Sequence, residues 1–336
     1  MEHVPHWNLE SIYPDIDSEA FLADLAAVKT LSGEIQAIVG GCKDLRAFKE
    51  WFVQLLETSQ RAIDTFETLM AYANAKLTVN TSDEKAMRGL NKAEEVALGI
   101  KAAYVQILNA LATHKEAVRS LVKKEPELNQ YSCIIEEMLE EQRHLMSESE
   151  ESLAADLNRS GTDSWGRLQE AVSSTSDTVW DEETNERKTV IQLRSMAFDP
   201  DRSVREKAFQ KELAIWKLHE VSFAYSINGV KGTTITLDRR RGYRDPLERS
   251  AMQSRISESV LNALIGSIEK YLPMFRKYLA AKAKLIGVPK LAFFDLFAPV
   301  GALHKKYSFD DARSFIVEKF TAFHKPLGDF AESAFD

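Results

Sequence analysis

The chain has 336 residues, more than the ~100–200 of a typical single domain, so two or three packed subdomains are expected. With 44% hydrophobic and 28% charged residues it has the balance of a globular protein, which excludes a disordered one. The net charge of −8 repels phosphate and argues against general binding to nucleic acid or to anionic lipid.

Only 14 glycines and 9 prolines punctuate the chain, and the long stretches between them predict a mainly helical fold. Trp7–Pro14 reads as an extended opening segment ending in a Pro-Asp turn. Asp17 and Ser18 are placed to cap a helix from Glu19, with Phe21, Leu25 and Val28 at helical spacing. Asp44 opens a longer apolar stripe through Phe48, Phe52, Leu55 and Leu69 to about Leu77. Thr81-Ser82-Asp83-Glu84 caps the next helix, which carries Leu90, Val96, Tyr104, Ile107 and Leu111, and the two long helices predict an antiparallel hairpin.

From Glu116 to Arg159 the composition turns acidic, with Glu136-Glu137, Glu140-Glu141 and Glu148-Ser-Glu-Glu151. These acids alternate with Ile135, Leu139, Leu145 and Leu153, the pattern of an amphipathic helix with a solvated acidic face, and Arg143-His144 adds no ligand-like spacing. Val172–Trp180 and Arg187–Gln192 are β-branched segments flanking the polar turn Asp181–Asn185, which predicts one small hairpin. Asp199-Pro200-Asp201 caps a helix to about Ile227, to be broken by Gly229 and Gly232. Thr233-Thr-Ile-Thr-Leu237 alternates like a short extended segment. A further helix begins at Ser257-Glu258, kinks or restarts at Pro273 and closes at Gly287.

Met1-Glu-His-Val-Pro-His-Trp7 has neither the basic region nor the apolar core of a secretory leader, and no stretch reaches the ~18 apolar residues of a membrane span. Cys42 and Cys133 are far apart and form no C-x-x-C pair. A cytoplasmic protein with no membrane partner is the expectation.

His219-Glu220-Val-Ser-Phe223 begins like the H-E-x-x-H helix of zinc peptidases, in which two histidines one turn apart hold the metal and the glutamate serves the bound water. A phenyl ring at the second ligand position cannot bind zinc. The remaining histidines (His3, His6, His114, His144, His304 and His324) form no ligand pair beside acids, and neither a Gly-x-Ser-x-Gly elbow nor a P-loop is present. No catalytic and no metal-ligating residue is therefore assigned. Arg239-Arg-Arg-Gly-Tyr243-Arg244 is the candidate binding feature, with Arg240, Arg241 and Tyr243 as substrate-binding residues, because guanidinium groups hold carboxylates bidentately. A solvated loop or structural ion pairs to the many acids is the competing reading.

Trp7–Pro14, Asn228-Gly-Val-Lys-Gly232, Arg239–Tyr243, Asp245-Pro-Leu247, the Pro273-centred run and Asp295-Leu-Phe-Ala-Pro-Val-Gly301 together resemble the oligoendopeptidase F branch of the thimet-oligopeptidase-like zinc metallopeptidases. The resemblance implies a helical N-terminal lobe of a two-lobed endopeptidase, which cuts short oligopeptides in a channel between lobes. It divides the chain into an N-terminal helical hairpin region (1–112), an acidic helical subdomain ending in a β-hairpin (113–193) and the front of the peptidase domain (194–336). In that family the zinc motif lies C-terminal to the element matching Asp295–Gly301. The intact enzyme would hold zinc, while this chain alone is expected to hold none, to be inactive and to lack its C-terminal catalytic lobe. Leu291–Val300 and the phenylalanines of Phe309–Phe335 would then be left for that lobe, or for self-association, to cover. The alternative is a stand-alone helical interaction or scaffold protein derived from such an enzyme.

Overall fold

The computed structural model describes residues 8–41, 47–301 and 307–335. His3, His6, Trp7, Cys42, Asp44 and His304 lie outside the described residues. The chain is mainly α-helical, with one two-stranded antiparallel sheet.

Ser18 caps α1 (Glu19–Gly40) by accepting a hydrogen bond from the Phe21 N–H, and Asp83 caps α3 (Glu84–Thr113) by accepting from Lys85 and Ala86. Between them runs α2 (Phe48–Val79). These three helices pack on one another along their apolar stripes. At one end the rings of Tyr13, Phe21 and Tyr72 pack together with Leu69. At the other, Phe48, Phe52, Leu55, Ile107 and Leu111 share a core with α4 (Lys115–Lys124) and α5 (Ser132–Gln142). Among the described residues, α3 is the one helix long and apolar enough to span a bilayer by composition. Here its neighbours are α1, α2, α5 and α6 (Glu148–Ser160), and Leu90, Ile107, Leu108 and Leu111 are buried.

The acidic stretch is not one helix. It is cut by a 3-10 turn at Pro126–Tyr131 and by the corner between α5 and α6. Glu136 faces solvent paired with Arg119, as an acidic face requires, but Glu151 is buried. The hairpin is shorter than predicted: β1 (Asp177–Asp181) pairs with β2 (Glu186–Thr189) around a turn in which Asp181 accepts from the Glu183 and Thr184 N–H groups. Val172–Thr175 instead closes α7 (Thr162–Thr175), because the Thr175 and Ser176 hydroxyls donate back to the carbonyls of Ala171 and Val172. Val190–Gln192 opens α8 (Val190–Ser195) through a capping box between Thr189 and Gln192.

The largest departure lies between 202 and 240. The expected break at Gly229 and Gly232 does not occur, and Thr233–Leu237 is not extended. Instead α9 (Arg202–Leu218) hitches at His219 and continues as α10 (Glu220–Arg240). A mid-helix glycine costs only about 1 kcal/mol against alanine, a loss that packing outweighs. Thr233 and Thr236 add hydroxyl bonds to the carbonyls of Gly229 and Gly232. Gly229 is needed for contact: a Cβ there would lie 2.3 Å from Trp165 Nε1, so glycine lets α7 and α10 approach.

After α11 (Pro246–Gln253), α12 (Glu258–Leu285) begins at its Ser257 cap and runs unbroken through Pro273. The expected terminal helix is two helices, α13 (Phe309–Phe323) and α14 (Lys325–Phe335), which pack on each other and are separated at His324, where the backbone is extended.

Two substitutions in α10 test this. Gly229→Ala should destabilise the protein by about 1–3 kcal/mol through overpacking on Trp165. Gly232→Ala, where a Cβ meets nothing within 4 Å, should be neutral or stabilise by up to ~1 kcal/mol. Urea midpoints of both variants would decide it, and equal effects would mean that the α7–α10 contact is not made.

Candidate functional site

The Arg239–Arg244 run sits where α10 ends. Gly242, at φ 75°, lets the chain reverse: the Tyr243 N–H donates to Asp238 O and the Gly242 N–H to Arg239 O, a Schellman closure. Asp245 then caps α11 by accepting from the Glu248 N–H at 2.8 Å. The turn is thus rigid, and it presses against the corner between α5 and α6.

Each arginine meets a different fate there. Arg241 clasps Glu151 in a bidentate pair, Nε to Oε1 at 2.9 Å and NH2 to Oε2 at 2.6 Å. Glu151 is buried, and it also accepts from the Met146 N–H. Burial pushes the Glu151 carboxyl up, but the Arg241 hydrogen bonds, the Met146 N–H and the Arg241 charge together hold it below its ordinary value. Arg240 makes one long contact to Glu150 at 3.4 Å and is otherwise open to solvent. Arg244 is tied to Asp245 and Glu258. Tyr243 stacks on the His144 ring, with centroids 3.9 Å apart and planes within 6°. His144 Nδ1 lies 3.3 Å from Arg241 O.

The fold therefore joins Arg241 and Tyr243 to Glu151 and His144, and it leaves Arg240 beyond them on the outer rim of an apolar groove between α6 and α10. Arg241 and Tyr243 line a cavity of about 640 Å³ whose opposite wall is α3. Sequence reasoning missed Glu151, His144, Asp238 and Arg249 in this neighbourhood. Glu151 was hidden among exposed acids of the same type. Asp238 and Arg249 carried one faint signal, opposite charges flanking a glycine turn.

The zinc-like pentad is accounted for differently. His219 Nε2 lies 3.0 Å from Ser176 Oγ, and Phe223 packs its ring against His219 and Trp216. These residues do not fit a zinc site. Among the described residues no group of three His, Cys, Asp or Glu side chains converges in a metal-ligating arrangement.

The comparisons with known proteins agree with this architecture. A family model described as Peptidase_M3_N, Oligopeptidase F, matches residues 110–176, from the end of α3 to the residue before β1. Oligopeptidase PepF of Bacillus subtilis is 24% identical over 330 residues, covering 96% of this chain and 48% of that protein. The chain is similar to oligoendopeptidase F along most of its own length. An oligoendopeptidase F homolog of Lactococcus lactis is 22% identical, covering 98% of the chain and 55% of that protein. The crystal structure of oligoendopeptidase-F from Enterococcus faecium shares the fold, with a TM-score of 0.71 at 20% identity, over 94% of this chain and 65% of that one. The chain thus spans about half the length of the curated relatives it matches.

The Arg241–Glu151 pair makes stability sensitive to acid. Glu151 has its folded pKa depressed, so its contribution is fully present above about pH 4.5 and is lost as pH falls through the folded value. Glu151→Gln should lower stability at pH 7, and the gap from wild type should narrow below about pH 4.5 in chemical denaturation. Arg241→Ala should cost about 3 kcal/mol at pH 7, because it strands a buried carboxylate. A gap that does not change with pH would show that Glu151 is not ionised and paired.

Proposed function

We propose that this chain is the helical front part of a zinc oligopeptidase that cuts short peptides, and that it supplies one wall of the substrate channel. The observation that carries the reading is the match along 96% of the chain to a protein named an oligopeptidase. Further support comes from the surface. From residue 262 to 281 every residue of α12 is exposed, including Leu264, Ile268, Phe275 and Tyr278. Phe315, Phe323 and Phe330 of α13 and α14 are exposed as well. Apolar surface on this scale marks a face that packs against something. The occupant that suits it is the further length of chain its relatives carry.

In this reading the rigid turn after α10 orients peptide. Arg240 has donors free for a substrate carboxylate, and Arg241, clasped by Glu151, positions Tyr243 and the turn. No residue here is assigned a step of hydrolysis, and the zinc ligands are placed outside these 336 residues.

Two experiments test this. A protein extended to the length of its relatives should cleave an internally quenched oligopeptide and lose that activity to a chelator, with zinc restoring it. The 336-residue chain should cleave none, and an extended protein with no activity under any metal supply would sink the reading. Hydrogen exchange on dilute monomer should show α12–α14 exchanging faster than α1–α3. Equal protection would favour the stand-alone interaction protein.

A further inference from the structure

The cavity beside the Arg241 turn contains a cation that nothing described so far uses. Arg249, on α11, lines it together with Arg241 and Tyr243. Behind Arg249 stands Asp238, on the last turn of α10, which is 4% exposed. The Arg249 Nε lies 3.0 Å from Asp238 Oδ1, so the carboxylate holds the guanidinium by charge. Neither Asp238 oxygen accepts a well-aligned hydrogen bond, and no hydrogen bond joins the Arg249 terminal nitrogens to a described residue. A buried carboxylate is costly unless a charge partner compensates it, and Arg249 is that partner for Asp238. Here Asp238 anchors the stem side of a planar fork whose outer edge is left for something else.

The rest of the cavity suggests what that is. Arg241 is already neutralised by Glu151, and Glu141 is occupied by the Tyr104 hydroxyl at 2.6 Å. Arg249 is thus the arginine of this cavity whose fork has no carboxylate hydrogen-bonded to it, and Lys101 stands on the opposite, α3 wall. Leu98, Val105, Leu145 and Ala155 add apolar surface, while the exposed acids Glu148 and Asp156 stand on α6. The volume of about 640 Å³ lies in the range of small-molecule sites, roughly 300–1,000 Å³. An anionic fork, an apolar body and a cationic end describe a short peptide with free termini.

We propose that this cavity is a binding subsite for the free α-carboxylate of short peptides, in which Arg249 receives the carboxylate and Asp238 is its positioning residue. The proposal deepens the oligopeptidase reading and rests on it for the ligand class. An arginine–carboxylate fork is worth more than a neutral contact because both partners are charged and two parallel bonds form.

The test is calorimetric titration of the 336-residue chain with Ala-Ala-Leu and with Ala-Ala-Leu-amide. The acid should bind at least about tenfold more tightly than the amide. Arg249→Met should abolish that preference. Asp238→Asn should reduce it, and Arg249→Lys should keep part of it. Ala155→Phe, which narrows the cavity from α6 without touching the ion pair, should weaken both peptides together. Thermal melts establish that each variant is folded, and if Arg249→Met does not fold, Arg249→Lys and Ala155→Phe carry the test. Equal affinity for acid and amide, or a preference that survives loss of Arg249 or blockage of the cavity, would overturn the proposal. Because hydrolysis is not read, an inactive extended protein would sink the peptidase reading alone, and lost acid preference in an active one would sink this subsite alone.

Discussion

The middle of the molecule depends on one half-buried ion pair, Arg241 with the buried Glu151. It is the point at which the turn after α10 is bolted to the corner between α5 and α6. A pair of this kind contributes little net stability, because desolvating its charges offsets most of their attraction. What it does is specify. Two charges that must meet leave α10 one depth and one rotation against α6, and removing Arg241 would strand the buried Glu151. The stacked His144–Tyr243 rings, the Schellman turn and the cavity wall all take their places from that fixed point.

The same device recurs further along the chain. Asp295 is fully buried and receives Arg205 at 2.9 Å, Arg202 at 3.2 Å and the Ala292 N–H at 2.9 Å. Arg205 also donates to the carbonyls of Asp199 and Pro200, and Lys282 donates to Leu296 O. Burial pushes the Asp295 carboxyl up, but its hydrogen bonds and the Arg202 charge hold it below the usual carboxylate range. The apolar 291–300 loop is thereby pinned to the start of α9 and the end of α12, with Phe294 inside and Phe293 and Phe297 outside. An apolar loop is held by charges, which keeps its outward phenylalanines in a set pattern.

Uneven burial separates two regimes in the chain. Helices α1–α5 close on two apolar clusters, whereas α12–α14 carry comparable apolar side chains that remain in solvent. Exposing one large apolar side chain costs about 1.5–3 kcal/mol, so the bare surfaces represent a driving force comparable with a domain's whole stability of ~5–15 kcal/mol.

By itself the sequence determined the helical class and several helix starts, because caps such as Ser18, Asp83, Asp201 and Ser257 act over three residues and are local. It also determined the place of the small hairpin and the failure of the His219–Phe223 pentad as a zinc motif, since a phenyl ring cannot be a ligand in any fold. It misplaced what long-range packing decides. Gly229 and Gly232 read as breakers, but in this fold the indole of Trp165 makes Gly229 a contact point. Thr233–Leu237 alternated like a strand, yet β-branched preference amounts to only about 1 kcal/mol and yields to the packing of α10 on α7. Glu151 and Glu136 are the same residue type in similar company, and only the tertiary structure decides that one meets Arg241 in the interior and the other meets Arg119 in water. Which arginine is clasped, which is open and which stands on a buried aspartate was likewise settled by where the chain comes back on itself. Charge pairing acts across some ninety residues of sequence, a separation that local patterns do not encode.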